Sequence, residues 1–248
     1  SYLGSVARDC GVHEVARGVG LHPSTAYRLL TVLARHQFVQ PTPEGGRYGL
    51  GLRLLELGNR VLDSLELRTR ARPVLEELMA KTRETVFLMV LDGDTGIYVD
   101  RIESPQRIRV AANLGYREYL HCSAVGKAIL AHVPADRLAR ILAAGLPRLT
   151  ARTITDPDRL RRHVLEVARR GFAIDDEEGE EGLRCVGAPI FDHQGNVVAS
   201  VSVSGPAYRL SVDQLEAWGP MVRAAADAIS TALGFRPASR RGTAGPRP

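Results

Sequence analysis

Cysteine is scarce in this chain: among 248 residues only Cys10, Cys122 and Cys185 carry a thiol. Their odd number argues against a disulfide framework, and none sits in a CxxC or other metal-ligand spacing. A reducing, cytoplasmic setting without a bound metal or cofactor is therefore expected. Long apolar runs are lacking too. No stretch approaches the roughly 20 residues that a membrane helix needs, and no charged-apolar-small signal peptide opens the sequence. There is no internal repeat, and the phosphate loop G-x-x-x-x-G-K-[ST] is absent. What remains is a chain long enough for one small and one medium domain, each with its own core. Its net charge of +5 suits a polyanionic partner.

The segment VHEVARGVGLHPSTAYRLL, residues 12–30, carries the most information. Val12, Val15, Ala16 and Val19 recur at i, i+3, i+4, i+7, the period that gives a short helix one apolar face. Gly18 and Gly20 suit the turn that follows, because glycine takes positive φ freely. His22-Pro23 restarts the chain, with proline in a first turn where its missing N–H costs nothing. A second helix follows, expected to bury Ala26, Leu29, Leu30 and Leu33. Its other face holds Ser24, Thr25, Tyr27, Arg28 and Thr31, a mixture that suits a helix lying in the major groove of double-stranded DNA. Alone, these residues also fit an ordinary amphipathic helical hairpin. Phe38-Val39-Gln40, a turn over Pro41 to Gly46, and Arg47-Tyr48-Gly49-Leu50 then read as a β-hairpin. A hairpin directly after a recognition helix is a wing, with Arg47 and Tyr48 expected at its tip beside the sugar-phosphate backbone. Pro41 and Pro43 fit only an edge or a turn, as a wing requires.

With those motifs in place, the chain resembles the IclR family of bacterial transcription regulators. The resemblance runs through HPSTAYRLLTVLARHQFV and GRYGLGLRLLELG, then ETVFLMVLDGDTGIYVDRIES (84–104) and HCSAVGKAILA (121–131). It continues in GFAIDDEEGEEGLRCVGAPIFD (171–192) and VVASVSVSGPAYRLS (197–211). It implies a DNA-binding regulator rather than an enzyme, with a GAF/PAS-like sensor domain for a small-molecule effector. It also implies pairing into dimers or tetramers. The family usually places a full helix and a leader ahead of the first motif helix, so a truncated start is expected here.

The expected organisation is α+β: a winged helix-turn-helix over 1–51, a linker helix over 52–65, a sensor over 66–234 and a disordered tail over 235–248. Leu54, Leu55, Gly58, Val61, Leu62 and Leu65 line one stripe of the linker, too apolar for a solvated connector. It packs either within the chain or on another subunit, and the resemblance favours the subunit. A helix from Pro73 to Arg83, with the proline in its first turn, then opens the sensor. Strands are expected at 86–91, 97–103, 108–114, 172–176, 184–191 and 197–204, and helices at 124–131, 135–144, 156–170 and 212–233. Tight turns between successive strands imply a largely antiparallel sheet.

In the last strand a period of two sets Val197, Ala199, Val201 and Val203 against Val198, Ser200, Ser202 and Ser204. Counting from a turn centred near Gln194-Gly195 brings Cys185 beside Ser202 to Ser204. The resemblance carries effector-pocket positions onto Cys185, Ser202, Ser204, Asp175 and Leu183, and onto Ala124 and Val125. His121 and Cys122 flank that last pair and are expected in the same cavity. A helix start ahead of Lys127 favours an anionic group, and the hydroxyl-lined pocket together with the family's habits points to a carboxylic or aromatic acid. The alternative is a GAF-like thiol redox sensor or enzyme using Cys185, which needs a base and an activating environment. The carboxylates of 175–181 read as a solvated acidic run, since no histidine with metal spacing accompanies them.

Overall fold

A computed structural model describes residues 2–6, 8–43 and 45–236. It divides into two compact units, Ser1–Leu65 and Glu66–Pro248. The first opens with a four-residue helix α1 (Tyr2–Ser5) and a short strand β1 (Cys10–Gly11). Helices α2 (Val12–Val19) and α3 (Pro23–Arg35) follow, then strands β2 (Val39–Pro41) and β3 (Arg47–Leu50) and helix α4 (Arg53–Ser64). Gly20, in the left-handed region at φ 68°, ends α2 by donating its N–H back to the carbonyls of Ala16 and Arg17. The His22 ring accepts from the Ser24 amide at the start of α3, where Pro23 fills the first turn. The three strands form an antiparallel sheet in the order β1-β3-β2.

Two expectations for this unit fail. Ala26 and Leu30 are buried, but Leu29 and Leu33 are 50% and 40% exposed and line an open apolar groove with Val15, Val19, Phe38 and Leu54. Periodicity marks an apolar face without saying whether the same chain covers it. Tyr48 is not at the wing tip: it pairs with Cys10 and packs on the small core of Val15, Leu30 and Val39. The wing turn lies between Pro41 and Arg47 instead.

The second unit starts with a long helix, α5 (Glu66–Thr82), which carries Pro73 in its interior. The expected start at Pro73 is therefore seven residues late. Ala71, Leu75, Leu78 and Thr82 form its buried face against β4 and the C-terminal helix, and that burial offsets the hydrogen bond the proline removes. Strands β4 (Thr85–Asp92), β5 (Thr95–Ile102) and the two-residue β6 (Arg117–Glu118) come next, then helices α6 (Ala124–Leu130), α7 (Ala135–Ala143) and α8 (Pro157–Arg170). Strands β7 (Ala173–Asp176), β8 (Leu183–Phe191) and β9 (Val197–Pro206) and helix α9 (Val212–Ala232) complete the unit. The sheet is antiparallel throughout, in the order β6-β5-β4-β9-β8-β7. The fold is α+β.

The strand expected at 108–114 does not form. Side chains take its carbonyls instead: Thr85 Oγ1 donates to Val110 O at 3.1 Å, Arg209 Nη2 to Ile108 O at 3.1 Å, and Arg101 to Ala112 O. The segment lies as a strap, not a ladder. Most of the expected tail lies outside the described residues, but Phe235 stacks on Phe191 with ring centroids 5.2 Å apart, so the ordered chain runs past 234.

One close approach fixes where α6 sits. A Cβ on Gly187 would lie 3.0–3.2 Å from the backbone of Ala124 and Val125, so the glycine lets the helix start settle onto β8. Gly187 is the cross-strand partner of Ser202, and directly paired residues point to the same face. The serine face of β9 is therefore the one beneath α6.

Candidate functional site

Strand register assembles the floor of a cavity on that face. Asp175 of β7 pairs with Cys185 of β8, Cys185 with Ser204 of β9, and Ser204 with Thr85 of β4, one row across four strands. The next row sets Gly187 beside Ser202 and Ser202 beside Phe87. A bulge at Ile190/Phe191 shifts the β8–β9 register by one and selects Ser204 as the partner of Cys185. Ser202 and Ser204 place their hydroxyl oxygens 3.4 Å apart, and both are buried.

Above this floor is a cavity of about 320 Å³. Seven of the expected residues line it: Ala124, Val125, Asp175, Leu183, Cys185, Ser202 and Ser204. His121 and Cys122 do not. The His121 ring bonds the Pro147 carbonyl at 2.9 Å, and the buried Cys122 thiol faces the Tyr119 carbonyl at 3.8 Å. Both sit behind the start of α6, whose Ser123 caps the helix by accepting from the Gly126 amide at 3.2 Å. Other lining groups have no sequence signal. Glu118 comes from the two-residue β6, Tyr98 from β5, and Val110 to Asn113 from the strap.

Among the described residues the cavity wall carries no lysine, arginine or histidine, but it holds the carboxyls of Asp175, Glu118 and Glu180. Burial pushes Asp175 up to about 7, against the pull of Lys127 and the amides of Glu178 and Gly179. Burial likewise pushes Glu118 up to about 7, opposed by the Tyr119 amide. Lys127 does not reach the cavity. Its ammonium is fully buried, donating to Ile174 O at 2.6 Å and to the Glu178 carboxylate. The lysine expected to favour an anion is thus spent inside the protein.

The acidic run is paired from Asp176 to Glu178, while Glu180 and Glu181 are exposed as expected. Arg184 Nε holds Asp176 Oδ1 at 2.6 Å, Arg184 and Arg152 flank Glu177, and Lys127 takes Glu178. Among the described residues no group of three histidine, cysteine, aspartate or glutamate side chains is arranged to hold a metal. Burial pushes the Cys185 thiol well above its ordinary range, with Asp175 adding to the rise. A thiol held protonated in this way is the reverse of an activated nucleophile.

On the first unit, Ser24, Thr25, Tyr27, Arg28 and Thr31 all lie on the exposed side of α3. Thr31 Oγ1 bonds the Tyr27 carbonyl at 2.9 Å, one turn back. His22 caps the helix and Pro23 is half-buried in its first turn. Arg47 points inward from the wing: its Nε donates to Asp9 O at 3.1 Å and its Nη2 meets Glu14 at 3.1 Å. It is exposed but already partnered.

Residues 59–231 match the family described as bacterial transcriptional regulator IclR C-terminal, and residues 1–43 match the IclR helix-turn-helix domain. The chain belongs to the IclR family. It is 36% identical over 229 residues to the HTH-type transcriptional regulator KdgR of Escherichia coli K12, covering 92% of this chain and 87% of that one. The crystal structure of the Thermotoga maritima IclR is similar at 37% identity and a TM-score of 0.73, covering 94% and 95% of the two chains. An IclR homolog from Microbacterium hydrocarbonoxydans, crystallised with 4-hydroxybenzoate, is similar at 28% identity and a TM-score of 0.76, with 91% of each chain covered. This IclR-family chain is therefore a transcription regulator with a helix-turn-helix unit and an effector-binding unit. Among the described residues no helix is long and apolar enough to cross a membrane.

Proposed function

We propose that this regulator binds a small carboxylic or aromatic acid in the cavity between the β-sheet and α6, and that the acid shifts its affinity for an operator. The observation that carries this reading is the cavity over Cys185, Ser202 and Ser204, whose hydroxyls and thiol can orient a polar ligand while Phe87 and Val125 cover its apolar part. The volume of about 320 Å³ lies at the lower end of the range for small-molecule sites, and a relative has been crystallised with 4-hydroxybenzoate. His22, Pro23, Ser24, Thr25, Tyr27, Arg28 and Thr31 would present α3 to the major groove, with Arg47 and Tyr48 holding the wing beside it. The work would be done in the cytoplasm, where the operator is.

A ligand changes DNA affinity only through different affinities for two arrangements of the DNA-binding units. Such arrangements require a homo-oligomer, dimer or tetramer, and α4 supplies a surface for one. None of its described side chains is buried, and Leu55 and Val61 are 62% and 60% exposed. An apolar stripe of this kind suits a copy of the same helix related by a two-fold axis. Leu62→Glu is expected to lower the oligomeric state in sedimentation at micromolar concentration, because it puts a carboxylate into the contact. An unchanged oligomer would remove α4 from the interface.

The effector reading is tested by Ser202→Val, which keeps shape and deletes one hydroxyl. A thermal-shift screen of organic acids identifies a ligand that stabilises the native protein. Against that ligand the variant is expected to lose about 1–3 kcal/mol of binding, seen by calorimetry. Operator binding without effector should persist, since α3 belongs to the other unit. Unchanged effector affinity in both Ser202→Val and Cys185→Ser would place the ligand elsewhere.

A further inference from the structure

A cavity meant for an acid ought to offer it a positive charge, and this one offers carboxyls. Asp175, Glu118 and Glu180 line it, alongside the hydroxyls of Ser123, Ser202 and Ser204, the Cys185 thiol and the phenols of Tyr98 and Tyr116. Among the described residues no cationic side chain lines it. Asp175 lies deepest: it is 2% exposed, and it occupies the floor row with Cys185 and Ser204. A ligand carboxylate seated on the two serine hydroxyls would share the cavity with that carboxyl, two strand spacings or roughly 10 Å away along the floor. A second negative charge at that range disfavours the ionised form of a carboxyl that is only 2% exposed. A proton taken up on Asp175 relieves the repulsion.

We propose that the cavity receives a monocarboxylic effector together with one proton, which Asp175 takes up. The proposal rests on the acid-effector reading above and names the charge state of what that site takes. No bond other than the O–H bond is made or broken, and solvent supplies the proton. A protonated Asp175 changes from acceptor to donor at the cavity floor, where the serine hydroxyls and the Cys185 thiol can both donate and accept. Its other oxygen stays anchored, since Oδ1 accepts from the Glu178 amide at 2.7 Å.

The groups around Asp175 set the pH range. Lys127 of α6 favours the ionised form, as do the amides of Glu178 and Gly179, while Glu178 itself disfavours it. Cys185 from β8, Cys122 ahead of α6 and Tyr98 from β5 all feel the Asp175 charge and are neutral groups pushed upward in turn. Glu118 faces Cys185 and Tyr98 from the β6 side of the cavity, and Glu180 faces Glu118. On the outer side of β7, Arg152 and Arg184 are occupied by Asp176. With burial holding Asp175 at about 7, the empty site is ionised at pH 8 and protonated at pH 5.5. Uptake of a proton on binding is therefore expected at pH 8 and not at pH 5.5.

The test is calorimetric titration of the full chain with 4-hydroxybenzoate, benzoate and lactate, each beside its neutral amide. Each titration is run at pH 5.5 and pH 8 in pairs of buffers with different ionisation enthalpies. For whichever acid binds, the buffer dependence should report close to one proton taken up at pH 8 and little at pH 5.5. Affinity should fall by up to about tenfold per pH unit above 7. Amide binding should take up none. Asp175→Asn should abolish the uptake, whereas Glu118→Gln should leave it in place. Uptake by the parent shows that a proton enters with the acid, and uptake retained in Glu118→Gln assigns it to Asp175 even if Asp175→Asn fails to fold. Acid binding at pH 8 without proton exchange, or uptake that survives in Asp175→Asn, overturns the proposal and leaves the acid-binding site standing. Binding of the amides alone, or of none of the six compounds, overturns the proposal together with the acid-effector reading.

Discussion

Replacing Lys127 by methionine is expected to destabilise the effector-binding unit by about 3–5 kcal/mol, the largest loss foreseen for a single substitution in this protein. Lys127 is a fully buried lysine whose ammonium meets the Glu178 carboxylate and the Ile174 carbonyl. Methionine fills much the same volume but donates nothing. Glu178, only 7% exposed, would keep its charge without a partner, and its Oε2 already lacks a hydrogen bond. The Ile174 carbonyl would lose its donor as well. Removing one partner of a buried pair costs more than the pair contributes, because the desolvation penalty of the other stays. Urea unfolding of parent, Lys127→Met and Lys127→Met/Glu178→Gln separates these effects. The double variant should recover a substantial part of the loss, since glutamine buries no net charge. A single-variant loss below about 1 kcal/mol would show that Glu178 finds water or another donor.

The second large effect concerns DNA. Arg28→Ala is expected to weaken operator binding by about 1–3 kcal/mol if the guanidinium meets a base edge in bidentate fashion. If it meets a phosphate, the loss should instead be similar across sequences, and the salt dependence should flatten by about one unit of log–log slope. Stability should hardly change: Arg28 lies on the exposed side of α3, while Ala26 and Leu30 on the other side form the contact with α2 and β2. Arg47→Ala should cost less than Arg28→Ala in the same assay, because its guanidinium is turned toward Asp9 and Glu14. Equal operator affinity for parent and Arg28→Ala across salt would remove α3 from the DNA interface.

Short-range periodicity makes Ser202, Ser204 and Cys185 legible in the sequence, whereas Asp175, Leu183, Ala124 and Val125 are expected only through the family resemblance. Alternation in 197–204 put Ser202 and Ser204 on one face, and the turn at Gln194-Gly195 brought Cys185 opposite them to within one residue. The bulge at Ile190/Phe191, which settles that last residue, has no local signature. Glu118 was invisible for a different reason. Its strand is two residues long and owes its place to pairing with Gly96 and Ile97 of β5, a long-range event. The strap over 108–114 reads as a strand because its apolar residues alternate. It becomes a cavity wall because Arg101, Thr85 and Arg209, all distant in sequence, take its carbonyls. Pro73 shows the same limit from the other side. Proline favours a helix start locally, yet burial of Ala71, Leu75 and Leu78 carries α5 across it. His121 and Cys122 lie outside the cavity because sequence adjacency to Ala124 does not fix which side of a helix start faces it.

The claim at the centre of this account is that a ligand in the cavity over Ser202 and Cys185 changes how tightly the protein holds its operator. The most direct measurement is operator affinity of parent and Ser202→Val at matched protein concentration, titrated with the acid that gives the largest thermal shift. The account predicts that the acid changes the parent's operator affinity by at least about fivefold, the lower end of common coupling energies. It predicts that Ser202→Val binds operator normally without acid and needs roughly tenfold or more acid for the same response. An operator affinity that responds to the acid at the same concentration in both proteins would contradict it.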